Sequence, residues 1–302
     1  MTRRDDSTIS LEDRLNVRRH AERLLAKAEA RGVLPTPVDQ ILEAAGLRMA
    51  PESLDESLVQ RLRRQASDLA KRALSKLLGL LHLGDRLIFV DRALHEKKIL
   101  FIKLHETGHG WLPHQRDTYA LLEECEHTLD PDVRDAFERE ANVFAGEVLF
   151  QLDRFTQDAA DCSFGVRTPL QLSKRYGSSV YAAMRRYART HAEAVVLLVF
   201  DPPDAIPGLG FEATLRRAEQ SDAFTARFGR VTWPGKVSPD SQLGALIPIG
   251  RRMSSPLPVK MVDANGDPHS GVGEGFFSGH QVFVLIRVAA IASPVRILRA
   301  IR

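Results

Sequence analysis

Apolar residues recur along this chain in two rhythms, and the change between them divides it. Up to about residue 190 they fall three and four apart, the spacing of helices buried on one face; beyond residue 194 they gather into continuous β-like runs. Residues 11–30 carry Leu15, Leu24 and Leu25 on one side, with Gly32 just past the end, and predict an amphipathic helix behind a leader of residues 1–10. Pro35-Thr36-Pro37 breaks the chain, residues 38–45 predict a short helix closed by Gly46, and the leucines of residues 57–81 predict another amphipathic helix. Residues 87–91 follow the turn signal Gly84-Asp85 and predict a strand. Residues 93–110 lack proline and place Leu94, Ile99, Ile102 and Leu104 at helical spacings.

Further on, residues 111–131 read as a polar connection with a short helical piece near 119–126. Asp130 as cap and Pro131 as first helical residue then predict a helix running through residue 152. Thr168-Pro169 opens a helix, a tight turn at Gly177-Ser178-Ser179 and a second helix over 180–190. Residues 195–200 and 281–286 are β-like, and prolines and glycines crowd the interval between them. The expected fold class is α+β. Residues 1–32 form a leader and helix, 33–155 a mostly helical domain with a small sheet, 156–192 a helical pair, and 193–302 a mixed α/β domain.

Composition changes this picture little. Hydrophobic residues make up 44% and charged residues 27% of 302, as in ordinary globular proteins. No apolar run approaches the roughly 20 residues that span a bilayer, which excludes a membrane partner from the expectations. The first twenty residues have bases but no apolar segment behind them, so they do not read as a secretory signal. Cys125 and Cys162 form neither a disulfide framework nor a zinc-knuckle spacing, and a reducing cytoplasm is expected. The net charge of +3 is unevenly spread: residues 117–140 are strongly acidic, whereas Lys174, Arg175, Arg185, Arg186 and Arg189 stand together without an acid.

The chemistry concentrates in His105-Glu106-Thr107-Gly108-His109, an H-E-x-x-H sequence. Residues four apart lie on one helical face, so His105 and His109 can aim two imidazoles at one ion, and Glu106 stands beside it as a general base. The bland reading is two satisfied helical histidines beside a surface glutamate. Catalytic zinc needs a third protein ligand and an open position. The acidic helix offers Glu138, Glu140 and Glu147. Phe137, Ala141, Phe144 and Ala145 make an inward stripe; Glu138 flanks it, while Glu140 points further round, toward solvent or a ligand histidine. On spacing alone Glu138 is preferred and Glu140 stays open.

A strand ending in Val90-Asp91, the lead-in ALHEKK, H-E-x-G-H, and F-E-R-E-A-N-V-F-A downstream together resemble the ImmA/IrrE family of bacterial and phage metallopeptidases. Residues 35–42 followed by Gly46-Leu47 are similar to that family's N-terminal part, and the resemblance covers roughly residues 30–155. It implies a zincin-like peptidase domain that binds Zn2+, with zinc ligands at His105, His109 and Glu138 and the general base at Glu106. The implied activity is cleavage of a protein substrate, a helix-turn-helix transcriptional repressor, in a stress response or in control of a mobile element. Where the family has L-L-M-P after F-A, this chain has Glu147-Val148-Leu149-Phe150-Gln151.

A second reading makes the chain a DNA-binding regulator. Residues 170–190 have a helix-turn-helix look, and Lys174, Arg175, Arg185 and Arg186 could meet phosphates; Val180, Ala183, Met184 and Tyr187 equally suit a packing face. A third assigns residues 193–302 to a sensory role. Residues 271–275 (GVGEG) lack a nucleotide loop's flanking elements and read as a turn. Residues 263–267 (DANGD) begin like a calcium loop, with Glu274 at the twelfth position, but read better as an Asn-Gly hairpin turn.

Overall fold

A computed structural model describes residues 9–51, 79–82, 86–90, 92, 94–125, 129–208, 210–229 and 231–288. The chain divides into two compact units. One comprises Met1–Phe155 and Ser173–Ser179, the other Thr156–Leu172 and Val180–Arg302. The architecture is α+β. No helix among the described residues is long and apolar enough to cross a membrane.

The first unit is built around two helices, α3 (Glu96–Trp111) and α5 (Pro131–Leu149). Helix α1 (Leu11–Lys27) packs on α5 through Val17, Ala21, Leu24 and Leu25, a spacing of one buried residue per turn. It begins where the Ser10 hydroxyl accepts a hydrogen bond from the Asp13 amide, so residue 10 is a cap and not part of a leader. Helix α2 (Val38–Ala44) reaches α3 by the Lys103–Asp39 ion pair at 2.6 Å. Against α3 also lies a three-stranded sheet of β1 (Arg48–Met49), β2 (Gly79–His82) and β3 (Leu87–Val90), in the order β1-β3-β2.

Two expectations for this unit change. Residues 79–81 are strand where the periodicity continued a helix, because β3 supplies antiparallel partners (Leu80 opposite Phe89, Leu81 opposite Ile88); pairing overrides local propensity. The rest of that predicted helix, residues 57–78, lies outside the described residues. The polar connection after Trp111 is in fact helix α4 (Pro113–Cys125). Leu112 takes an extended conformation, and its carbonyl accepts from the Gln115 and Arg116 amides, so one residue turns the corner and proline starts the new helix. Helix α5 begins as expected, the Asp130 carboxylate accepting from the Asp132 and Val133 amides ahead of Pro131.

The second unit holds α6 (Arg154–Ala160) in part, most of α7 (Arg167–Arg175), and α8 (Val180–Thr190). Its antiparallel sheet contains β4 (Val195–Phe200), β5 (Asp204–Ile206), β6 (Gly210–Gln220), β7 (Lys236–Val237), β8 (Leu257–Val262), β9 (Pro268–Phe277) and β10 (Val282–Val288). The order is β5-β6-β4-β10-β9-β8, with β7 pairing to β6. Central β4 and β10 read as unbroken apolar runs because both faces are covered. Val196, Leu198, Phe200, Val284 and Ile286 face a core closed by Phe224 and Phe228 of α9 (Asp222–Phe228), with Leu246 and Ile247. Phe283 faces the other way, its ring 6.3 Å from Tyr181 of α8.

The interval between the two β-like runs is thus mostly sheet. GVGEG is neither turn nor nucleotide loop but the middle of β9. Its glycines leave room for the segment Gly244–Leu246 to lie flat on the strand: a Cβ on Gly273 would meet Leu246 Cδ1 at 2.6 Å, and one on Gly275 would overlap the Leu246 carbonyl. Residues 263–267 turn the β8–β9 hairpin, the Asp263 carboxylate accepting from the Asn265 and Asp267 amides. Glu274 instead accepts from the Val166 amide at 3.1 Å. Both ends of the supposed calcium loop are therefore committed elsewhere.

Candidate metal centre

Helix α3 carries His105, Glu106 and His109, and α5 carries Glu138 and Asn142 four residues apart on one face. What lets these helices approach closely is Gly108. A Cβ there would stand 3.2 Å from the Ala141 Cα and from Phe144 Cδ1, so a small residue on each helix is the condition for contact.

Across that contact three ligand atoms converge. The Nε2 atoms of His105 and His109 lie 3.1 Å apart. Glu138 reaches His105 Nε2 with one carboxylate oxygen at 3.2 Å and His109 Nε2 with the other at 3.7 Å. Ligands about 2.05 Å from a tetrahedral zinc stand roughly 3.3 Å from each other, so these edges suit such an ion. His105, His109 and Glu138 are the residues among those described whose donor atoms gather this way.

The second nitrogen of each ring is also committed. His105 Nδ1 lies 3.2 Å from the Asn142 side-chain oxygen, and His109 Nδ1 lies 2.7 Å from the Gln115 side-chain oxygen. Each Nδ1 therefore donates, and each Nε2 turns a lone pair into the same small space. With a carboxylate beside them, these lone pairs form a donor set that could hold a metal ion. Burial disfavours the charged imidazole of His105, but the Glu138 hydrogen bond and the Glu106 and Glu138 charges outweigh it and hold His105 above its ordinary value. His109, by contrast, is pushed down to about 4 by burial and by His105. Glu138 is held below the usual carboxylate range, since the two imidazoles outweigh its burial. Its side chain remains 47% exposed, which leaves the cluster open to solvent on one side.

Glu106 is 5% exposed, and burial pushes its carboxyl up to about 7, near the point where it can both take and give a proton. Glu140 does not touch a motif histidine, the contact its spacing suggested. It accepts hydrogen bonds at 2.6 Å from both Gln115 and His114. Glu147, the remaining glutamate of α5, is buried against Arg18 of α1 at 3.6 Å. On α4, His114 is held by Glu140, and Tyr119 sets its ring edge-on to His109 at 5.6 Å. Sequence reasoning passed over Asn142 and Gln115. Asn142 had a signal in its four-residue distance from Glu138; Gln115 had none while residues 111–131 were read as a connection.

The cations singled out for nucleic acid divide between the two units. Lys174 and Arg175 are exposed and belong to the first unit; Arg185 and Arg186 belong to the second. Arg185 and Arg189 both donate to the buried Glu219 of β6, at 2.6 and 2.7 Å.

Residues 58–187 match the family model described as the IrrE N-terminal-like domain of peptidase M78. Among solved structures, a Mycobacterium tuberculosis transcriptional regulator is similar at 13% identity and a TM-score of 0.42, over 90% of this chain and 82% of that one. No curated protein matches the chain.

Proposed function

Since residues 58–187 make this chain a member of the ImmA/IrrE family, we propose that it is a zinc-dependent regulatory endopeptidase with a zincin-like catalytic domain. The observation that carries the reading is the convergence of His105, His109 and Glu138 with Glu106 buried alongside. This donor set of two imidazoles and one carboxylate leaves a position open, as catalytic zinc sites do. Zinc held there would supply the Lewis acidity that activates water and polarises a scissile carbonyl.

The chain's own residues do the rest. Glu106 takes the proton released as water adds to the carbonyl carbon and hands it to the departing amine, so one peptide bond and one water become an acid and an amine. Asn142 keeps the His105 ring turned toward the ion. The half-exposed edge of Glu138 marks the side from which an extended peptide enters. The substrate class is a protein, in keeping with the peptidase family, and the specific substrate we propose is a helix-turn-helix repressor whose cleavage relieves repression in a stress response or mobile element.

The test is incubation of the zinc-loaded full chain with a repressor encoded beside it, followed by intact-mass analysis. Two fragments whose masses sum to substrate plus one water, absent with a chelator, are expected. An uncut repressor would remove the proposed substrate; a cut unaffected by the chelator would remove the metal.

A further inference from the structure

Gln115 is completely buried, and its amide orientation is fixed by what surrounds it. Its nitrogen lies 2.6 Å from a Glu140 carboxylate oxygen and 3.3 Å from the Phe137 carbonyl. Both of those partners only accept, so the NH2 group must face them and the amide oxygen must face His109 Nδ1, 2.7 Å away. An oxygen there accepts only from a protonated Nδ1. The lone pair of His109 is thereby left on Nε2, the atom aimed at His105 and Glu138. His114, bonded to the same Glu140 oxygen at 2.6 Å, holds the far end of the chain.

We infer that Gln115 and Glu140 are positioning residues that lock His109 into its ligating tautomer, with Glu140 acting through Gln115 and not on the histidine itself. The inference rests on the metal reading above and deepens it. A ring free to carry its proton on Nε2 would turn an N–H toward the ion in part of the population, so the lock should show as affinity. Local sequence supplies it: the corner at Leu112 folds α4 back so that Gln115, only six residues on, lies over the ring.

The experiment uses the metal-free full chain labelled with 15N-histidine, and zinc competition against a chromophoric chelator. In the wild type, His109 should show a protonated Nδ1 and a bare Nε2. Gln115→Leu should weaken zinc binding roughly 10- to 100-fold. Gln115→Glu puts a carboxylate 2.6 Å from Glu140 and should also weaken it, whereas adding Glu140→Gln should recover part of the binding, because the amide and the carboxylate trade places while the Phe137 carbonyl loses its donor. An Nε2-protonated His109 in the wild type, unchanged affinity in Gln115→Leu, or a double variant no better than Gln115→Glu would each overturn the inference. If wild type bound no zinc, the metal reading would fail, while the histidine spectrum would still decide the tautomer.

Discussion

Glu219 in the second unit and Glu138 in the first are both carboxylates set among nitrogen donors, yet their surroundings are opposite in kind. Glu219 is 4% exposed and meets three guanidinium groups, from Arg185, Arg189 and Arg217, at 2.6 to 3.1 Å. Their hydrogen bonds and charge outweigh its burial and hold it below the usual carboxylate range. Every partner donates, so the cluster is complete as it stands. Around Glu138 the partners are imidazole nitrogens that present lone pairs, and its side chain is 47% exposed. These are the donor types that can hold a metal ion. A polar cluster whose donors and acceptors are all matched belongs to stability; metal-donor groups open to solvent suit binding.

Substitutions in both clusters, and acidification, bear on that contrast. The largest expected effect is on chemistry: Glu106→Gln should lower the cleavage rate by about 10²- to 10⁴-fold while zinc content, read by atomic absorption, stays at the wild-type level. His109→Ala or Glu138→Ala should instead remove the metal itself, with activity falling in parallel. Retained zinc in Glu138→Ala would mean that the open cluster does not hold the metal through Glu138.

On the closed side, Glu219→Ala removes the acceptor that three arginines share and should cost about 3 kcal/mol in urea unfolding without altering zinc content. The low end of the range applies because those side chains keep 16%, 22% and 22% exposure. The acid dependence follows in sign. Glu219 in the fold sits below its ordinary value of 4.5, so its contribution is whole above that pH and is lost as pH falls through the lowered value. The wild type should therefore lose more stability on acidification than Glu219→Gln, and parallel curves would contradict the pairing.

Gly108→Ala should have the smallest effect. Crowding against Ala141 and Phe144 costs about 1–3 kcal/mol, and the better helix former returns about 1 kcal/mol. A net loss near 1 kcal/mol in thermal unfolding, with somewhat weaker zinc binding, is expected.

Helices α1 and α5 were legible because they carry their own signals. Asp130 caps, Pro131 begins, and Leu24 and Leu25 fall on the buried side of α1, although Leu15, expected beside them, is 52% exposed and the Ser10 cap was read as leader. The His105–His109 pair was legible for the same reason, being a local spacing. What stayed hidden depends on partners distant in sequence. Nothing in Gly79 to Leu81 names β3 as its neighbour, and the glycines of β9 announce a turn until Leu246 is seen lying on them. The role of Glu140 was blurred likewise, since its proper partner Gln115 sat in a stretch whose helix begins from a proline and a single extended leucine.

That leucine has a consequence for assembly. Because the chain turns at Leu112, His105, His109 and Gln115 come from one short stretch of sequence, whereas Glu138, Asn142 and the Glu140 that orients Gln115 come from a later helix. An ion bridging the two stretches would act as a rivet between early and late parts of the fold. Chelation should then loosen the docking of that later helix, a change that hydrogen exchange along residues 131–149 would register before any substrate is added.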